Sequence, residues 1–378
     1  MMLIPVFHDP HEKRGFKPLI LTRPLYLFKI GGQYLFQFFE PIFTGSKPVL
    51  LMPKNLEGLW KWRLNIVENI DTLINIKTIE KKKKILLIDG RLLPLQNTLN
   101  LLSSMVEEKE DALECRGEIL ARLLQAGAYE KILAGEYDRI GCRRRIHAES
   151  SLCYDSPRTL LEGAQSLIRE FKGSRGFIQL GDEGVLVDKT VKIGREVVLD
   201  ASKGPIIVDK DSIIGDYVII RGPVLVGPQT EINPGTSIEA SIIGDSSSIS
   251  GRIKNSLLMG RNQVNYGTII EYCIMGEYTV IDAGVEITGK PGSEAIVGDY
   301  SVVLASAVIK EATSIGPLTI VAGDVPHETH PTSYYSPRIG EKLLDRERIE
   351  YTLRNILYNY FGRLPSYHEV NLLSSLSK

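Results

Sequence analysis

Proton transfer near neutral pH is histidine chemistry, and the chain has six histidines: His8, His11, His147, His327, His330 and His368. Two pairs are spaced by three, in His8-Asp9-Pro10-His11 and His327-Glu328-Thr329-His330. A metal site needs further ligands at defined spacing. None can be placed beside either pair, so no metal is expected there. The four cysteines, Cys115, Cys142, Cys153 and Cys273, form no C-x-x-C. That spacing argues against a disulfide framework or zinc site and for reduced, mostly buried thiols. The basic runs at 81–84 and 143–145 read as solvated or ion-paired faces. A phosphate contact by 143–145 is the sharper alternative.

The elements that would position such residues follow from a repeat. Val208, Ile214, Ile220, Val226, Ile232 and Ile238 fall on a six-residue period, and Val297, Val303, Ile309, Ile315 and Val321 do so again. With 43% hydrophobic residues overall, filling every such slot by chance is expected well under one time in about a thousand. Between the two runs the period continues with slips, through Ile243, Ile249, Ile253, Leu258, Val264, Ile270, Met275, Ile281 and Ile287. One stiff aliphatic side chain per short strand, pointing inward, describes a triangular left-handed parallel β-helix over 185–325, of about seven or eight coils. Glycine follows the inward residue at Gly194, Gly215, Gly227, Gly244, Gly276, Gly298 and Gly316. The segment 288–295 breaks the period and is expected to be an external loop. Beyond it, 341–361 is predicted to be an amphipathic helix capping the β-helix, with Ile349, Leu353, Ile356, Leu357 and Tyr360 on one face.

Residues 1–172 show no six-fold period. Strands are predicted at the N-terminal MLIPVF and at 83–88, the latter ending in an Asp89-Gly90 turn. Helices are predicted at 56–70, 95–106, 112–126 and 157–171, with a hinge at 173–176. Alternating buried strands and helices make this an α/β domain. Three parts result: 1–172, 176–325 and 326–378. The 378 residues allow that number at ~100–200 per domain. Net charge is -1, from 45 basic and 46 acidic residues, which gives no field for nucleic acid. No run approaches the ~18 apolar residues of a membrane span, and the N-terminal apolar stretch is short for a signal sequence. Neither nucleic acid nor a membrane is an expected partner, and the expected location is cytoplasmic.

The stretch from Phe16 to Pro24, ending Thr22-Arg23-Pro24, resembles the L-x-P-L-T-x-x-R-P segment of sugar-phosphate nucleotidyltransferases. Gly90-Arg91-Leu92-Leu93-Pro94 resembles a G-R-L-L-P stretch of a divergent branch of them. A nucleotidyltransferase-like α/β domain followed by hexapeptide repeats is the order of parts in bifunctional sugar-1-phosphate nucleotidyltransferase/N-acetyltransferases, and the resemblance spans roughly 1–325. It implies nucleotide-sugar metabolism, with a sugar phosphate or nucleotide sugar as partner. It also implies Mg²⁺ with a nucleoside triphosphate in the first domain, acetyl-CoA at the β-helix, and a homotrimer.

The resemblance also assigns candidates. Lys13, Arg14, Lys17 and Arg23 would bind phosphate, Asp89 would hold the metal, and Lys254 stands where the family has a substrate-binding lysine. Tyr266 occupies the place of the catalytic histidine, and free tyrosine, with a pKa of about 10, is a weak base. Asn233 and Val280 stand where an arginine and an asparagine are expected. The family's glycine-rich phosphate turn is here His8–Gly15, with a proline that lacks an N–H donor; Leu25 replaces a phosphate-binding lysine. Two readings follow: a transferase with divergent sites, or a non-catalytic regulatory or scaffold homologue that binds a sugar nucleotide or a protein partner. A hexapeptide carbonic anhydrase is set aside because the β-helix carries no histidine.

Overall fold

The computed structural model describes residues 3–9, 14–43, 45–80, 83–108, 111–136, 144–171, 176–181, 183–325 and 327–377. They form two compact units. The first holds the N-terminal strand, Arg23–Phe28 and Tyr34–Asp155. The second holds Arg14–Thr22, Lys29–Gln33 and the chain from Ser156 onward.

The first unit is built on a seven-stranded sheet. Its strands are β1 (Leu3–His8), β2 (Val49–Leu50), β3 (Leu73–Ile74), β4 (Lys84–Asp89), β5 (Ala112–Cys115), β6 (Glu118–Gln125) and β7 (Arg145–Ala148), in the order β3-β2-β1-β4-β6-β5-β7. β1 is parallel to both β2 and β4, and β6 runs antiparallel to β4. The apolar run of β4 is buried on both faces, as central parallel strands require. On one side lie Val6, Ile85, Leu87, Tyr129 and Ile132. On the other, Phe7 meets the rings of Tyr26, Phe36, Phe39 and Phe43. Helices α1 (Lys54–Trp62), α2 (Gln96–Glu108) and the short α3 (Tyr129–Leu133) complete the unit.

Two expectations are corrected here. The segment 112–126 is the β5–β6 hairpin, not a helix. Its turn residues Arg116 and Gly117 both have positive φ, 53° and 79°, which suits a tight hairpin. The cysteines also differ: Cys115 and Cys153 are joined in a disulfide, while Cys273 is a buried thiol. Strand β7 runs parallel to β5 and returns the chain beside Cys115. Cys142 and residues 173–175 of the expected hinge lie outside the described residues.

The second unit is a left-handed parallel β-helix of about 8 turns. Every residue assigned to the inward slot in the two regular runs and the slips between them is at most 1% exposed. The corner glycines are required by close approach: a Cβ on Gly244 would lie 2.3 Å from the Met259 carbonyl oxygen, and one on Gly298 would lie 2.6 Å from Pro317 N.

The three faces are finished differently. On the first face the outward positions are apolar too: Ile207, Ile242, Leu257, Ile274 and Ile296 are buried. Helix α4 (Pro157–Glu170) lies on this face, with Gln165 donating to the Ala240 carbonyl at 2.9 Å. So do residues 29–33, where a Cβ on Gly31 would meet Leu225. The second face is covered at its last coils by α5 (Arg346–Phe361) and α6 (Tyr367–Leu376), through Val280, Val302, Ile349, Leu353, Leu357 and Leu373. The third face carries a column of alternating charge, in which Asp200, Arg221, Glu239, Lys254 and Glu271 are successive register partners.

The expected C-terminal helix begins at Arg346. Residues before it form an antiparallel hairpin, Ser333–Ser336 with Gly340–Leu343, that ends the ladder of the second face. Tyr360, expected on the buried stripe, is 48% exposed. Phe361 packs instead, edge-on to Tyr278 at 5.2 Å.

Candidate functional site

In an open sheet with parallel strands, ligands bind outside the carboxyl ends of strands where successive connections leave in opposite directions. β1 and β4 are such a pair: the neighbour of β1 on one side is β2, on the other β4. Their last residues, His8 and Asp89, are register partners. Around these ends lie Asp9, which accepts from Leu25 N at 3.2 Å, and Tyr154, whose hydroxyl donates to the Gly90 carbonyl at 2.8 Å. Residues 152–154 pair with 91–93: Tyr154 N donates to Arg91 O and Leu93 N to Leu152 O.

Asp89 is a firmly held carboxylate. Arg91 donates to it three times, from Nε at 2.9 Å, Nη2 at 2.8 Å and its own backbone N at 2.9 Å. Arg91 also pairs with Glu118. Burial alone would raise the Asp89 carboxyl, but the hydrogen bonds and charge of Arg91 outweigh it and hold it below the usual carboxylate range. Burial, with the charges of Asp9 and Asp89, pushes the Tyr154 phenol well above its usual value.

The Asp89 pair therefore stabilises fully above the ordinary aspartate pKa of about 3.9, and its contribution is lost as pH falls through the lower folded value. Asp89→Asn is expected to flatten the acid limb of stability against pH, measured by urea unfolding between about pH 6 and pH 3. An unchanged acid limb would show that the pair does not act in this way.

Mg²⁺ does not fit here as the resemblance implies. Both Asp89 oxygens are already held by Arg91, and the described residues contain no group of three histidine, cysteine, aspartate or glutamate side chains able to hold a metal ion.

The other candidates do not converge. Lys13 and His11 lie outside the described residues, and of Arg14 only the backbone is described, opening the short turn Arg14–Phe16. Lys17 is exposed in the second unit. Arg23 is 1% exposed in the first unit, with its guanidinium 5.4 Å from the Trp60 ring centroid. Lys254 sits in the charged column, 3.5 Å from Glu239. Tyr266 is 61% exposed at a coil corner. Asn233 donates to Ser248 and Ser250 at 3.1 and 3.0 Å, and Val280 is buried in the cluster with α5 and α6.

His330 pairs with Glu341 at 2.7 Å, whose hydrogen bond and charge raise its pKa. In the basic runs, Arg145 pairs with Glu114 at 2.9 Å and Lys83 with Glu80 at 3.1 Å. Both fit the ion-paired reading; Lys81, Lys82 and Arg143 lie outside the described residues.

Sequence reasoning missed a buried cluster in the second unit. Lys29 Nζ lies 3.1 Å from Asp245 and 3.2 Å from Glu277. Arg261 reaches the same two carboxylates at 3.2 and 2.8 Å. Two cations and two anions thus meet in one cluster. Beside them Thr22 donates to Asp299, which also accepts from Glu277 N. One available signal was the acidic residue that follows corner glycines, at Asp245, Glu277 and Asp299 as at Asp216. A lysine amid the apolar run LYLFKI was another.

No protein-family model matches the chain, and no curated protein matches it. Solved structures do. LpxA, a UDP-N-acetylglucosamine acyltransferase from Bacteroides fragilis, is 14% identical, with 52% of this chain and 96% of that chain covered and a TM-score of 0.27. The UDP-N-acetylglucosamine acyltransferase of Francisella novicida is 14% identical, with 43% and 69% covered and a TM-score of 0.30. LpxA from Acinetobacter baumannii is 15% identical, with 52% and 95% covered and a TM-score of 0.21. At these values nothing about activity carries over.

Proposed function

We propose that this chain works in nucleotide-sugar metabolism as a divergent relative of the sugar-1-phosphate nucleotidyltransferase/N-acetyltransferases, and that its first unit binds a sugar nucleotide or sugar phosphate at the carboxyl ends of β1 and β4. The observation that carries this reading is the pairing of His8 and Asp89 at the switch point of the sheet. The Thr22-Arg23-Pro24 and Gly90–Pro94 stretches support it. In this reading the chain is a cytoplasmic homotrimer. The outward positions Lys192, Ile213 and Glu231 of the second face are exposed and free for closed three-fold packing.

The closure of Asp89 by Arg91 favours a second reading, a regulatory or scaffold homologue that binds without turnover. One experiment addresses both. The chain is melted with UDP- and dTDP-sugars, sugar 1-phosphates, nucleoside triphosphates with Mg²⁺, and acetyl-CoA, and any stabilising ligand is then assayed for turnover. A sugar nucleotide at 100 times its Kd is expected to stabilise by about 2.7 kcal/mol. Stabilisation with product formation supports the transferase, and stabilisation without it supports the regulatory reading. Stabilisation by none of these ligands overturns both.

A further inference from the structure

Helix α5 presents two unlike faces. Ile349, Leu353, Ile356 and Leu357 are buried with α6 and the last coils of the second face. The opposite side carries Glu347, Tyr351, Arg354 and Tyr358, all exposed, the two tyrosines at 69% and 64%. Spacings of four, three and four keep these residues on one narrow stripe, about 16 Å long at 1.5 Å per residue. Asp345 caps the helix through the Arg348 N–H, and Gly362 ends it in the left-handed region at φ 64°. The stripe is therefore held on a rigid, anchored rod.

Tyrosine and arginine are, with tryptophan, residue types enriched at the hot spots where proteins bind one another. Here their order identifies the partner. Read forward the stripe is Glu-Tyr-Arg-Tyr; read backward it is Tyr-Arg-Tyr-Glu. Laid antiparallel on a copy of itself, every position meets a complement. Glu347 faces the Tyr358 hydroxyl of the other copy, which can donate to its carboxylate. Tyr351 faces Arg354, whose guanidinium can lie over the ring. Two-fold symmetry repeats both pairs. A parallel arrangement would instead set Glu347 against Glu347 and Arg354 against Arg354.

We infer that α5 is a self-association surface, and that two copies of this chain pair through it antiparallel about a two-fold axis between Tyr351 and Arg354. A contact this short falls below the ~1,200 Å² of a standard interface, so the association is concentration-dependent rather than permanent. Three-fold packing of the β-helices would combine with it into a dihedral assembly, but the inference does not depend on that packing.

Sedimentation velocity of the full chain over a wide concentration range tests it. The mass of the smallest species, whatever its number of chains, is expected to double as concentration rises. Tyr351→Arg, which sets arginine against arginine, should abolish the doubling, as should Tyr351→Ala with Tyr358→Ala. Because these side chains are exposed, the thermal unfolding midpoint of each variant should match the parent. The exchanged pair Tyr351→Arg with Arg354→Tyr keeps every pairing intact and should restore the doubling. A mass independent of concentration, doubling that survives Tyr351→Arg, or an exchanged pair that fails to restore it would each overturn the inference. So would a variant that breaks up the smallest species itself.

Discussion

Lys29→Ala is expected to cost the second unit about 3–5 kcal/mol, because removing one partner leaves buried charge uncompensated. Lys29 and Glu277 have side-chain exposures of 1% and 0%, and Asp245 has 11%. With the lysine gone, two carboxylates that it bridged lose one buried cation. Surface ion pairs are worth little, about 0–1 kcal/mol, so the magnitude distinguishes a buried cluster from an ordinary salt bridge. Salt screens buried pairs weakly, so the loss should persist at 1 M sodium chloride. Urea unfolding measures both quantities. Lys29→Met with Glu277→Gln should recover part of the loss, since it removes one buried negative charge together with the positive one. A cost under about 1 kcal/mol for Lys29→Ala would show that Lys29 behaves as a surface ion pair and not as part of a buried cluster.

The second large effect belongs to the disulfide. Cys115 and Cys153 are 38 positions apart. Closing a loop of that length removes enough freedom from the unfolded chain to stabilise by about 4 kcal/mol in the chain-entropy account. Replacing both cysteines by serine, or unfolding in excess dithiothreitol, should lower the stability of the first unit by that order. The crosslink ties the end of β5 to the segment that pairs with 91–93, so loss of the bond should reach the Asp89–Arg91 pair. Equal stability with and without reductant, combined with free-thiol titration showing Cys115 and Cys153 already reduced, would remove the crosslink from the account.

The β-helix was legible because its code is local. One inward aliphatic residue every six positions needs no knowledge of the rest of the chain, and each such residue is buried. The same sequence holds a second signal. Ile206-Ile207-Val208, Val224-Leu225-Val226 and Cys273-Ile274-Met275 are apolar at the outward position as well, which marks the face that other elements cover. The 112–125 hairpin looks helical in sequence because its leucines, glutamates and arginines are good helix formers, whereas pairing of Ile85–Ile88 with Ala121–Leu124 decides the outcome. The Arg116-Gly117 turn was its visible sign.

The candidate site was legible only in part. Asp89 at a strand end could be placed, but its capture by Arg91 depends on a backbone turn within two residues. The partners of Lys29 lie 216 and more positions away, beyond any local pattern. Thr22 and Lys29 also show how the Thr22-Arg23-Pro24 stretch is divided. Thr22 packs in the second unit and Arg23 in the first.

That division has a consequence in time. Thr22 bonds to Asp299, 277 positions later, and Lys29 to Asp245, 216 positions later. At about 5–20 residues per second of synthesis, these N-terminal segments emerge from the ribosome roughly ten seconds to a minute before their docking corners exist. The first β-strand can pair with β4 long before that. The apolar Lys29 neighbourhood therefore waits for its partners until the β-helix has been made as far as Asp245 and Glu277, and over that interval it is the segment most open to wrong contacts.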